Sequence, residues 1–196
     1  MRTLAIAALL SALGFSTACF SSSYVAQQAL GQLKTLNGRE RVMDVLRRKN
    51  LKSEWRKKLW LMLRAREYGI TRLGLRRTGA YTYFFDTKGE PIAHNVSAAA
   101  KDALKPKRWT FPIVGSLPYL GFFRKADGEK LRKELAAQGY DTYLRPVPAY
   151  SSLGWFNDPV YSTMLDQSRA RLIEVVIHET THTTIFLRNR IPFNES

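Results

Sequence analysis

The spacing of apolar residues predicts that the chain begins with helices. In residues 24–36 the apolar positions recur at three- and four-residue intervals, which is the period of an amphipathic helix. The predicted apolar side consists of Val25, Ala29, Leu33 and Leu36. A second helix is predicted over residues 40–48, and helical structure as a whole over residues 21–68.

A third helix is predicted to begin near Ser53, because a serine side chain can accept a hydrogen bond from the backbone of the first turn. The apolar residues that follow fall on one face of this helix: Trp55, Leu59, Met62 and Leu63. That face is expected to pack against the rest of the protein.

From Gly79 onward the pattern changes to short β-rich runs separated by turn residues. The predicted strands lie within residues 80–85, 91–96, 109–114 and 140–147. A helix over Glu129–Gln138 interrupts them, and Gly139 is placed to close it. We therefore predict an α+β fold with N-terminal helices, a mixed or antiparallel sheet and a long last helix.

The last helix is predicted to start at Val160 or Asp166 and to end at Leu187. Asp158-Pro159 precedes it and is expected to break the preceding strand. Its predicted buried side consists of Ile173, Val176, Ile177 and Phe186.

This last helix carries the chain's clearest chemical pattern, His178-Glu179-Thr180-Thr181-His182. Two histidines four residues apart project from one face of a helix, so both imidazoles can reach one metal ion. Glu179 lies beside them, where its carboxylate can act as a base toward water. The pattern is typical of zinc peptidases. The alternative is a pair of surface histidines with a glutamate between them by coincidence.

Two acidic residues are candidates for completing such a site. Glu195 lies thirteen residues beyond His182 and suits a third metal ligand returned by a following helix. On spacing alone, an exposed or helix-capping glutamate fits Glu195 equally well. Asp158 is a candidate for an acid that hydrogen-bonds to the metal ligands and so orients them. Glu174 is a candidate for the same role or for a purely structural role.

The segment that precedes the last helix is a candidate for substrate binding. Gly154 and Trp155 lie in residues 153–156, where a strand edge could hold a peptide by main-chain hydrogen bonds. An ordinary core strand is the alternative. His94 is expected to be a structural or surface histidine, because it lies in a β run far from the metal motif.

Residues 1–18 have the build of an export signal: a positive start, an apolar run and small residues before Cys19. Ala18-Cys19 resembles the lipobox of bacterial lipoproteins, in which the cysteine is lipidated. Ser16 stands where that pattern usually has leucine, so ordinary cleavage after Ala18 remains the alternative. The prediction is an exported protein anchored by lipid on Cys19, facing the periplasm in the cell envelope.

The net charge of +15 is compatible with an anionic partner but does not by itself identify one. Residues 39–77, which we call the basic segment, hold fourteen Lys or Arg against four acids. They fit either a solvated helix surface or a surface that touches anionic lipid. Nucleic acid is not an expected partner for an exported protein. The apolar share of 45% and the aromatic share of 12% are typical of a folded protein and do not favour a disordered chain.

Several segments together resemble the bacterial putative aminopeptidase family. Those that form the most specific set are Ala149–Pro159, His178–His182 and Phe193–Ser196. Weaker matches occur, in the same order along the chain, at residues 18–19, 24, 28–29, 31–33, 80–82, 109–115, 118–119, 121–123 and 139–141.

The resemblance implies a Zn²⁺-dependent peptidase with a peptide substrate, His178, His182 and Glu195 as ligands, and Glu179 as catalytic base. It also implies that the chain is C-terminally truncated after Glu195 and that the fragment has little activity. One departure is Thr180-Thr181, where the family usually has Leu-Ala.

The predicted organisation is a signal peptide over 1–18, a basic helical region over 19–77 and a metallopeptidase-like region over 78–196. The alternative function is a non-catalytic basic envelope lipoprotein that binds a membrane surface, a partner or a metal.

Overall fold

A computed structural model describes residues 22–103, 105–111, 115–147, 149, 152 and 156–187. Within these residues helices and short strands alternate, which confirms the predicted α+β class. The α-helices are α1 (Ser22–Gly38), α2 (Val42–Arg47), α3 (Ser53–Arg72), α4 (Lys125–Ala137) and α5 (Arg169–Thr184). The strands are β1 (Glu40–Arg41), β2 (Tyr83–Phe85), β3 (Ala93–Ala100), β4 (Trp109–Phe111), β5 (Gly115–Leu117), β6 (Leu120–Phe122), β7 (Tyr140–Val147) and β8 (Val160–Tyr161), and a 3₁₀ helix covers Ser162–Asp166.

The strands form small sheets, both mixed and antiparallel. One sheet has the order β1-β2-β8, in which β2 and β8 run parallel. A second, antiparallel sheet has the order β6-β3-β7, and β4 pairs with β5. Helix α4 ends at Ala137 and Gly139 follows with φ 90°, so the predicted closing glycine is confirmed. The helix starts four residues earlier than the sequence predicted.

Helix α1 packs through a side that the sequence did not predict. Ala29 is exposed and Leu33 is 38% exposed, whereas Gln32 is buried. The reason is a close tertiary approach, since a Cβ at Gly31 would lie 2.2 Å from the ring of Phe123. The absence of a side chain at this position lets an aromatic ring sit directly on the helix.

The predicted apolar face of α3 is confirmed, because Leu59 and Met62 are fully buried. Ser53 is the first helical residue rather than the cap. Lys52 occupies the cap position and makes no side-chain hydrogen bond there.

Helix α3 packs against α5, and Gly69 lies at a close contact between them. A Cβ at Gly69 would lie 3.1 Å from Ile177 of α5. The larger apolar core therefore includes side chains from α2, α3, β2, β8, the 3₁₀ helix and α5. A smaller core lies between β3, β6 and α4. The larger core contains residues from both sides of residue 78, so it spans the predicted boundary between regions.

Helix α5 is shorter than predicted. Its first residue is Arg169, because Ser168 caps the helix by accepting a hydrogen bond from the backbone N–H of Arg171 at 3.2 Å. Val160 is not helical, since it pairs with Phe84 in the parallel ladder between β2 and β8. The helix ends at Thr184 rather than Leu187.

The buried side of α5 also differs from the prediction. Ile173 is 39% exposed, whereas the neighbouring Leu172 is fully buried. Leu172, Val176 and Thr180 form the buried row, at four-residue steps. Val176 was therefore assigned correctly, and Ile173 was wrong by one position.

The different burial of Leu172 and Ile173 predicts different effects on stability. Leu172→Ala should lower the free energy of unfolding by about 2–5 kcal/mol, because it leaves a cavity in the larger core. Ile173→Ala, the matched control on the same helix, should cost less than about 1 kcal/mol. Urea unfolding followed by circular dichroism measures both. Equal costs would contradict the orientation of α5.

Candidate active site

The two histidines of α5 face each other. The Nε2 atoms of His178 and His182 are 2.9 Å apart, and the ring planes are inclined by 79°. His182 is buried, with 7% of its surface exposed, and His178 is half-buried. Both imidazoles therefore direct the same nitrogen to one point beside the helix, as the four-residue spacing predicted.

This arrangement fits a metal ion. Two nitrogen ligands about 2.0–2.1 Å from a tetrahedral zinc are about 3.4 Å apart. The observed separation of 2.9 Å is smaller by only a fraction of an ångström, which small rotations of the two rings would supply. Imidazole nitrogen is also a ligand type that zinc prefers.

The described residues do not complete a metal site. Across the part of the chain that the structure describes, no group of three or more His, Cys, Asp or Glu side chains comes together. Glu195 lies outside the described residues. Its role as third ligand therefore stays a prediction.

The polar turn between the histidines is accommodated by the helix itself. The hydroxyl of Thr180 donates to the carbonyl oxygen of Val176 at 2.6 Å, and Thr181 donates to Ile177 at 2.9 Å. These bonds satisfy both hydroxyls, although Thr180 is only 2% exposed. Threonine can therefore stand at these positions without leaving a buried polar group unpaired.

Asp158 lies buried near Glu179. Its Oδ2 accepts hydrogen bonds from the backbone N–H of Ser152 at 2.7 Å and from the Ser152 hydroxyl at 2.8 Å. Its Oδ1 is buried and has no partner among the described residues. The pKa of Asp158 is raised to about 6; burial is the main cause, the two hydrogen bonds from Ser152 oppose the rise, and the negative charge of Glu179 adds to it.

Tyr81 is a neighbour of Glu179 that the sequence did not identify as a site residue. It is 5% exposed and has φ 61°, an unusual conformation for a bulky side chain. Burial raises the pKa of its hydroxyl well above the usual value, and the negative charges of Glu179 and Asp158 add to this rise. The hydroxyl therefore keeps its proton throughout the neutral range. Its backbone N–H donates to the carbonyl oxygen of Asp158 at 2.7 Å.

The turn that carries Tyr81 is held from several directions. The guanidinium of Arg66 donates to the carbonyl oxygen of Ala80 at 2.9 Å and also to that of Thr78. The backbone N–H of Gly79 donates to Oδ1 of Asn157 at 3.0 Å. A Cβ at Gly79 would lie 2.5 Å from the Asn157 side chain, so glycine is required at this close approach. Of these features, only the glycine is visible in the sequence.

Other predicted residues lie away from the histidines or outside the described residues. Glu174 is exposed and forms an ion pair with Arg171. His94 lies on β3 and lines a cavity of about 530 Å³ whose wall contains no residue of α5. Burial lowers the pKa of His94, and the positive charge of Lys125 lowers it further. The predictions for Cys19, Gly154 and Trp155 concern residues that the structure does not describe.

Comparison with known families identifies the family to which the chain belongs. The model of a family described as putative aminopeptidase matches residues 23–196, which is most of the chain. The chain belongs to this family. No curated protein matches the chain, and no solved structure matches it. None of the helices in its described part is both long enough and apolar enough to cross a membrane.

The raised pKa of Asp158 predicts a specific dependence of stability on pH. The unfolded chain releases the Asp158 proton near the usual value of 3.8, whereas the folded protein holds it until about pH 6. The stabilisation is therefore full below pH 3.8 and is lost as the pH rises through 6. Relative to Asp158→Asn, the wild-type free energy of unfolding should fall by on the order of 3 kcal/mol across this window.

Urea unfolding of both proteins at a series of pH values, with a chelator present, measures this difference. The variant serves as the control, because every other titrating group is common to both proteins. A difference that does not change between pH 4 and 7 would show that Asp158 titrates normally.

Proposed function

We propose that this protein is a zinc-dependent peptidase that removes residues from the amino terminus of peptides. The observation that supports this most strongly is the convergence of the His178 and His182 Nε2 atoms at 2.9 Å, with Glu179 between them in sequence. Membership of the putative aminopeptidase family supports peptide hydrolysis at a coarser level. Zinc itself and the preference for a free amino terminus belong to the proposal.

In the proposed site His178 and His182 hold zinc, and Glu195 supplies the third ligand. The ion, when bound, would act as a Lewis acid toward the scissile carbonyl group and make the attacking water more acidic. Burial of His182 fixes the direction of its ring, because the packed side chain has few alternative rotamers.

Glu179 is the proposed base. Its carboxylate takes a proton from water as the water oxygen bonds to the scissile carbon, and passes that proton to the leaving nitrogen as the C–N bond breaks. Glu179 is half-buried and lies near enough to Asp158 and Tyr81 for its charge to raise the pKa of both.

We also propose that the protein is exported and anchored by lipid on Cys19. The support is the signal-like pattern of residues 1–18 and the cysteine that follows it. This part of the chain lies outside the described residues.

The alternative, a non-catalytic basic envelope protein, depends on charge in the basic segment. Part of that charge has an internal role in the fold. Lys58 donates to the carbonyl oxygens of Leu165 and Gln167 at 2.7 and 2.8 Å, and Arg66 donates to Ala80. These two of the fourteen cations of the basic segment bind backbone carbonyl oxygens of the protein itself. The peptidase is the better supported proposal because of the histidine pair and the family match.

Metal content tests the histidine pair. The full-length protein should contain about one zinc per chain, and this zinc should be lost when His178 and His182 are both replaced by alanine. The chain has three histidines, so His94→Ala provides a matched control that should retain its zinc. Elemental analysis after dialysis against trace zinc measures all three proteins. Equal zinc in the double variant and the wild type would contradict the proposed site.

Replacement of Glu179 by glutamine tests catalysis separately from metal binding. The variant should lose about 10²–10⁴-fold in kcat/KM, because glutamine cannot accept the proton of water. Its zinc content should match the wild type. Glu174→Gln on the exposed part of the same helix is the control and should be fully active. Activity is measured on the full-length protein with a panel of aminoacyl-4-nitroanilides; full activity in Glu179→Gln would exclude the mechanism.

A further inference from the structure

We propose that the cavity of about 530 Å³ beside His94 binds a small apolar carboxylate, that is, a monoanion whose charge is attached to a hydrocarbon or aromatic body. The wall of the cavity contains no residue of α5, so this is a second site, separate from the histidine pair. The inference goes beyond the proposed peptidase function and does not depend on it.

The cavity lies between three segments of the fold. Helix α1 forms one wall, the connection from β2 into β3 forms a second, and the junction between β6 and α4 forms the third. The ring of Phe123 joins the first and third walls, because it sits directly on α1 at Gly31, where a Cβ would lie 2.2 Å from the ring. The volume falls within the range of about 300–1,000 Å³ that is typical of small-molecule sites.

The apolar part of the wall suits a hydrocarbon or aromatic body. Leu30, Phe85, Ile92 and Phe123 come from all three segments and line the cavity. Leu30 is 67% exposed, which leaves a large apolar side chain in contact with water at this place. A ligand that covers it removes apolar surface from water, and this favours binding.

The charged part of the wall suits one negative charge. Lys34, Arg124 and Lys125 line the cavity together with a single acid, Glu90, among the described residues. Part of the positive excess is already used, since the Asp127 carboxylate is 3.4 Å from Nε of Arg124. Lys125 is also the first residue of α4, whose cap residue makes no side-chain capping hydrogen bond, so the positive end of the helix dipole adds to the excess. The balance matches a monoanion better than a doubly charged phosphate.

His94 supplies an unpaired polar atom in this wall. Its Nδ1 is buried and has no hydrogen-bond partner among the residues that the structure describes. The two buried threonines of the same wall are satisfied internally: the Thr35 hydroxyl donates to the carbonyl oxygen of Gly31 at 3.3 Å, and the Thr87 and Ser162 hydroxyls are hydrogen-bonded at 3.0 Å. An unpaired buried polar atom costs stability. A bound carboxylate would pair it, because an imidazole with its proton on Nδ1 donates to a carboxylate oxygen.

Isothermal titration calorimetry of the full-length protein tests the ligand class. 4-Phenylbutanoate should bind with one molecule per chain. 4-Phenylbutan-1-ol has the same body without the charge, and acetate has the charge without the body, so each should bind at least about tenfold more weakly. Inorganic phosphate should also bind at least about tenfold more weakly, because it lacks the apolar body. Equal affinity for the acid and the alcohol, or for 4-phenylbutanoate and phosphate, would overturn the proposed class.

Two variants test the assigned residues. His94→Phe keeps a planar ring and removes both nitrogens, so the Kd for 4-phenylbutanoate should rise about tenfold or more. Lys125→Ser removes an exposed cation and should raise the Kd about two- to fivefold. Lys130→Ser is the matched control, since Lys130 is exposed on the same helix and does not line the cavity, and its Kd should equal that of the wild type. Because Lys125 is exposed, its variant keeps the test decisive if His94→Phe lowers the Tm. An unchanged Kd in Lys125→Ser and in a folded His94→Phe would overturn the inference.

The ring signals of the histidines locate the bound ligand, since the chain has only three. Saturating 4-phenylbutanoate should shift the His94 ring signals in ¹⁵N-edited NMR spectra and leave those of His178 and His182 in place. Shifts at His178 and His182 with none at His94 would put the ligand at the candidate active site and overturn the inference, while the peptidase proposal would stand. A protein that shows the His94 shift but hydrolyses no peptide would keep this inference and lose the proposed function.

Discussion

The site depends on the burial of one side of α5. Leu172, Val176 and Thr180 are buried one above the other, and the first two belong to the larger core, so the rotation of the helix about its axis is fixed. His178 and His182 project beside this row, where their rings are partly or largely covered by protein. The fixed rotation of the helix therefore directs the two Nε2 atoms to one point, 2.9 Å apart.

A second constraint is the concentration of polar groups around Glu179. Glu179, Asp158 and Tyr81 lie close enough for the two carboxylates to raise the pKa of the tyrosine, and Asp158 has a buried oxygen without a partner among the described residues. An unpaired buried polar atom costs stability. The left-handed backbone of Tyr81 adds a further cost. The core of apolar side chains on α3 and α5 offsets both.

The sequence predicted those features that depend on spacing within one segment. The four-residue interval between the histidines, the apolar face of α3 and the glycine after α4 all act locally, so periodicity and turn chemistry were sufficient. The predictions failed where a distant segment decides the outcome. Phe123 approaches α1 at Gly31, and Phe84 draws Val160 into a strand; neither contact is visible from local pattern. Tyr81 was missed for the same reason, because its relation to Asp158 and Glu179 arises only in the folded chain.

We propose that His178 and His182 bind one metal ion through their Nε2 atoms. Anomalous diffraction at the zinc absorption edge, from crystals of the full-length protein grown with zinc, tests this claim directly. We expect one anomalous peak about 2.0–2.1 Å from both Nε2 atoms. The absence of a peak there, or a zinc ion bound only at other residues, would contradict it.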